Sequence, residues 1–152
     1  MKHPYVAYLL AAAATVLLAC GTTPARSQEP GTPKPLALRQ IMKDMGRNMQ
    51  EIVDAVAHED WPRAARAAAA VAGHPEPPLT EKVRILALIG ADAGKFRGFD
   101  EKSGRAAKAL QEAAARVDGP AVIAAFADMQ TACLGCHQSF RRPVVEHFYG
   151  KR

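Results

Sequence analysis

Residues 118–143 read DGPAVIAAFADMQTACLGCHQSFRRP, and the fold class turns on this stretch. Asp118 and Gly119 mark a turn, and Pro120 suits the first position of a helix. From there Val122, Phe126, Met129, Cys133, Cys136 and Phe140 recur at steps of three and four. That is the apolar stripe of a helix, not the alternation of a strand. His137 follows Cys136 directly, so two thiols and an imidazole share one face of that helix. Pro143 lacks a backbone donor and is expected to kink or end it.

Upstream the pattern repeats. Leu38, Met42, Met45, Met49, Ile52 and Val56 form the stripe of a first helix starting near Leu36, with Arg39, Lys43, Arg47, Glu51 and Asp54 off it. Asp60 can cap a second helix that tolerates Pro62 in its first turn and stops at Gly73-His74-Pro75. Thr80 is placed to cap a third stretch, on which Val83, Leu86, Gly90 and Ala93 share a face. Its end is weakened at Gly94–Gly98, with Asp100 restarting the helix that carries Ala107, Leu110, Ala114 and Val117. Residues 80–117 thus read as one broken helix or two short ones. Four main helices with short connections predict an all-α, antiparallel up-down four-helix bundle. Composition agrees: the 152 residues are 49% hydrophobic, yet only 6% aromatic. Alanine supplies much of the apolar share, and it is the strongest helix former.

The domain occupies residues 36–152. Residues 1–19 read as an export signal, in which Lys2 and His3 precede the apolar run 6–19. That run is short for a membrane span of roughly 20 residues. It ends in Leu17-Leu18-Ala19-Cys20, which resembles the lipobox of bacterial lipoproteins, and the resemblance implies lipidation at Cys20; the alternative is ordinary secretion with Cys20 lost or left free. Residues 20–35, rich in Pro, Thr and Gly, form a tether. The expected location is the bacterial periplasm, with a lipid anchor on the periplasmic face of the outer membrane. Loss of Lys2 takes the formal net charge from +5 to +4. Arg141, Arg142, Lys151 and Arg152 gather at the C-terminal end. A charge this mild suits an acidic protein partner better than nucleic acid.

The Cys133-x-x-Cys136-His137 string admits three chemistries. A structural zinc site needs four ligands, and only His147 and His74 could complete one. A redox dithiol expects a strand–helix–strand setting. Covalent attachment of haem c needs two thiols one helical turn apart and an imidazole on the same face, and it is the pattern of this string. Export, helix and spacing agree on one covalent haem c, with Cys133 and Cys136 as attachment points and His137 as an iron ligand.

On those residues the chain resembles the class II c-type cytochromes, the cytochrome c′ family. The motif lies near the C-terminus on the last helix, and Arg141 stands four after His137. Arg39-Gln40 before a Met-rich stripe is similar to the family's first helix. The resemblance runs over residues 36–148, with 80–99 departing from the pattern. It implies that the first-helix residue over the iron sorts the family. A Met there gives a six-coordinate electron carrier, and an apolar residue gives a five-coordinate binder of nitric oxide or carbon monoxide. Met42 best fits that position. Met45 is the other candidate, and the alternative to both is a purely core role for the methionines. Arg39 and Arg141 are expected in the haem environment, with Arg39 toward a propionate. The remaining readings are a gas binder and a non-redox structural lipoprotein; no enzymatic constellation is visible. Redox proteins are the expected partners, and a homodimer through the first two helices is also implied by the resemblance.

Overall fold

The computed structural model describes residues 35–150. The leader, Cys20, nearly all of the tether, Lys151 and Arg152 lie outside the described residues. Six helices follow in order: α1 (Ala37–Ala57), α2 (Trp61–Ala72), α3 (Leu79–Ile89), α4 (Ala93–Ala115), α5 (Gly119–Cys136) and α6 (Arg142–Tyr149). A short 3-10 turn, Gly90–Asp92, precedes α4, and one turn of π-helix, His137–Arg141, joins α5 to α6. The helices α1, α2, α4 and α5 make the all-α four-helix bundle.

Two of its turns are built alike. Each helix ends in a residue with positive φ, Glu59 at 54° and Val117 at 60°. The next N–H reaches back to the carbonyl five residues earlier, Asp60 to Ala55 at 2.8 Å and Asp118 to Ala113 at 3.0 Å. This is a Schellman closure made without glycine. The same aspartates then cap the following helices, accepting from Arg63 N and Ala121 N at 3.1 Å each. A proline stands in the first turn after each cap. The two turns meet through Trp61, whose ring lies 3.2 Å from where a Cβ on Gly119 would sit.

The core is made mostly of alanine. Ile52, Val71, Leu110, Val122 and Met129 are the largest fully buried side chains. Ala55, Ala64, Ala67, Ala68, Ala107, Ala113 and Ala114 fill the spaces between them. Small side chains let helix axes approach closely, and the α1/α2, α2/α4 and α4/α5 seams are closely packed. The α1/α5 seam has no comparable backbone packing. The bundle is therefore closed on three sides and open on the fourth.

Two local expectations are corrected, and the one for Pro143 is narrowed. Thr80 does not cap α3; Pro78 holds that place and Thr80 lies inside the helix. Asp100 does not restart a helix, because α4 runs unbroken through Gly94, Gly98 and Asp100. The break falls at Gly90, whose φ of 59° an L-residue rarely adopts. An interior glycine costs a helix about 1 kcal/mol, which packing overrides, whereas a left-handed residue stops it. Pro143 neither ends the helix nor leaves it regular. It sits in the first turn of α6, and the preceding turn widens to π geometry. Widening accommodates a proline that would otherwise clash with the carbonyl four residues back.

Candidate haem site

The open seam contains a groove of about 340 Å³. From α5 and the π turn, Cys133, Cys136 and His137 line it; from α1, Met42, Met45, Gly46 and Met49 do. The sequence-expected ligand residues thus come together from helices about ninety positions apart in the chain. Phe99, Asp100 and Ser103 of α4 close one side, with Gln130 and Leu134 of α5. Arg39 and Arg141 are not among the lining residues. Arg39 lies over the Tyr149 ring of α6, 5.5 Å from its centroid. Arg141 is exposed beside the motif, close enough for its charge to act on His137.

Gly135, the second spacer residue of the motif, has a packing reason. A Cβ there would lie 2.6 Å from the Phe99 ring. Phe99 in turn meets Phe140 edge-on, centroids 6.5 Å apart, and Phe96 meets Phe140 at 5.4 Å. This aromatic cluster supports the motif from the α4 side. Leu134, the other spacer, is 57% exposed at the mouth of the groove.

The electrostatics favour neutral groups. Burial pushes the Cys133 thiol up, and Cys136 is pushed up to about 11, chiefly by burial and then by the charge of Asp100. Both cysteines are free and half-buried. Neutral thiols are poor nucleophiles, which counts against a working dithiol. The His137 imidazole is lowered below its ordinary value by desolvation first and by Arg141 second. A neutral ring keeps a lone pair free for a metal.

The other histidines have different company. His74 sits with Nδ1 2.9 Å from the Val71 carbonyl and Nε2 3.3 Å from Asp100. His58 is exposed against the Asp54 carbonyl, and His147 packs on Phe148. Among the described residues no three of His, Cys, Asp or Glu converge as a metal cluster, so a zinc site built with His74 and His147 has no support. A second hollow of about 450 Å³ on α1 and α2 is charged rather than apolar. There Arg63 bridges Glu51 and Asp54, beside Arg47 and Arg66.

The residues fit a flat, largely apolar group held at one edge. Two neutral thiols lie one helical turn apart, a neutral imidazole follows, and methionines face them across an open seam. This geometry defines a class, the helical-bundle proteins that carry a covalent c-type haem. Residues 36–141 match the family model described as Cytochrome C', and the chain belongs to that family. Its members carry one covalently attached haem c and serve as electron carriers or gas binders. The match ends where α6 begins. No curated protein and no solved structure matches the chain.

Sequence reading missed Phe99, Asp100, Ser103 and Gln130. None carries a motif; the close packing of α4 on α5 brings Phe99, Asp100 and Ser103 to the groove, and Gln130 reaches it from α5 itself, one turn before Cys133.

Proposed function

We propose that this protein is an exported electron carrier whose haem is attached through Cys133 and Cys136, with His137 and Met42 as iron ligands. The observation that carries the reading is the placement of Met42 and His137 on the same groove, from opposite sides of the open α1/α5 seam. Bound there, the haem supplies a one-electron Fe(III)/Fe(II) couple, and a Met ligand raises its potential.

The chain's own residues do the rest. Cys133 and Cys136 fix the edge of the group, one turn apart on α5. His137 offers a neutral imidazole, which Arg141 and the surrounding apolar surface help keep unprotonated. Met42 offers a thioether, a ligand that does not titrate. Met45, Met49 and Phe99 line the groove with apolar surface and lower its dielectric, which favours the less charged reduced state. Leu134 presents an exposed apolar side chain beside the motif, where a redox partner can approach. Export is part of this reading, with Cys20 as the lipid attachment point and acidic redox proteins as partners.

Absorption spectroscopy of the holoprotein with and without carbon monoxide tests it. A six-coordinate low-spin ferric haem with the weak far-red Met–iron band, and slow or absent CO binding by the ferrous form, is the expected result. A high-spin ferric haem that binds CO rapidly once reduced would replace the electron carrier with a gas binder.

A further inference from the structure

The start of α1 has no cap of its own. Leu36 holds the N-cap position and makes no side-chain cap bond. The first N–H groups of a helix have no intrahelical acceptor, so they must find one elsewhere. Here they find it 43 and 44 residues away. Glu81, in the first turn of α3, accepts from Ala37 N through Oε2 and from Leu38 N through Oε1, at 2.8 Å each. One residue earlier, Leu36 N donates to the phenolic oxygen of Tyr149 on α6 at 3.0 Å.

The two capping helices are tied to each other and to α1. Arg84 of α3 lies over the Phe148 ring of α6 at 5.0 Å, and Arg39 of α1 lies over Tyr149. Leu36, Ile41 and Ile85 are buried at this end, outside the alanine core. So α3 and α6, which are not bundle helices, converge on one place, the first turn of α1. Met42 stands five residues after the helix begins, about one and a half turns in.

A carboxylate with both oxygens on a helix N-terminus does more than satisfy donors. Its charge complements the macrodipole, and two charge-assisted bonds fix the direction of the first turn. Helix ends fray without such partners. Met42 has a flexible side chain and is 38% exposed, so its own packing does little to place the sulfur. The backbone beneath it must.

We propose that Glu81 is a positioning residue for Met42, holding the first turn of α1 so that the thioether faces the groove opposite His137, with Tyr149 as the lesser partner. This rests on the reading of Met42 as an iron ligand.

The test uses the full-length holoprotein as wild type, Glu81→Ala, Glu81→Gln, Tyr149→Phe and Met42→Leu. The readouts are ferric spin state, CO binding rate of the ferrous form, and hydrogen exchange of the α1 amides. Glu81→Ala is expected to raise the high-spin fraction, the CO rate and the exchange of residues 37–42 by about tenfold, as loss of a helix cap implies. Exchange in α4 and α5 stays unchanged. Glu81→Gln keeps one acceptor oxygen and recovers part of each effect, and Tyr149→Phe gives a smaller change. Unchanged exchange in Glu81→Ala would overturn the clamp. Faster exchange with wild-type spin state and CO rate would overturn its hold on Met42. A wild type already high-spin and unaltered by Met42→Leu would overturn the ligand assignment itself, and Glu81's role with it.

Discussion

Helix α5 faces two seams of different character. Along its first turns it puts Val122, Ala125 and Met129 into a core where alanines let the backbones close up. Along its last turn it puts Cys133 and Cys136, with His137 after them, on the groove toward α1, where the seam stays apart. One helical stripe thus packs on protein at its start and lines a groove at its end. The methionines opposite, Met45 and Met49, are only half-buried, although they touch the same core. An apolar surface left half-covered gains from a bound apolar group, because covering it removes it from water. The closed seam holds the fold and the open seam holds the chemistry, so substitutions in the two should separate stability from spectrum.

The largest effect is expected in the closed seam. Leu110 is fully buried, and Leu110→Ala should cost about 3 kcal/mol in urea unfolding. The haem spectrum of the folded fraction should not change; a shifted spectrum would mean that the seams are not separable. Between the two seams lies Gly135. A methyl at this position must displace Phe99, and overpacking of that kind costs about 1–3 kcal/mol. Gly135→Ala should therefore lower stability and also perturb the haem absorption, the one substitution here that moves both.

Smaller effects probe the turns. Val117 is β-branched with a φ of 60° and is exposed. Val117→Gly should stabilise the protein by about 0.5–1 kcal/mol, relief of the left-handed penalty outweighing the extra freedom of glycine when unfolded. Thermal unfolding would show it as a rise in Tm with no spectral change.

The smallest effect depends on pH. Asp100 raises the His74 pKa above its ordinary 6.5, and His74 holds Asp100 below its ordinary 3.8. Glu76 adds to the charge around His74, and Lys82 of α3 to that around Asp100. The histidine contribution is complete below its unfolded value and is lost as pH rises through the higher folded one. The aspartate contribution is present above its unfolded value and is lost as pH falls through the lower folded one. The pair therefore stabilises most between about pH 4 and 6.5. His74→Ala should cost under about 1 kcal/mol more in that window than at about pH 9, because Asp100 is half-exposed and only the ion-pair part of the loss depends on pH. A loss that grew with pH would reverse the assignment.

Much of the bundle was legible because its signals are local. Asp60 caps a helix where the sequence places it, Asp118 stands at the expected turn and proves to be a cap as well, and Pro62 and Pro120 lie in the first turns. The stripe of α1 brings Met42, Met45 and Met49 to one face, and that of α5 brings both cysteines to another. What was not legible depends on distance or backbone sign. Gly90, Gly94 and Gly98 look alike in sequence, and only the first has positive φ. Pro143 announces a disturbance, but not that one turn of π-helix absorbs it and lets the chain run on into α6. The contact between Gly135 and Phe99 spans 36 positions, and the Glu81 cap spans more. Such pairings follow from how helices pack, and no single helix encodes them.

The most direct measurement is the ferric absorption spectrum of Met42→Leu beside wild type, with urea unfolding on the same samples. A change from six-coordinate low spin to five-coordinate high spin, with stability altered by less than about 1.5 kcal/mol as a volume-conserving swap implies, is the expected result. Identical spectra for the two proteins would contradict Met42 as the residue that faces His137 across the open seam.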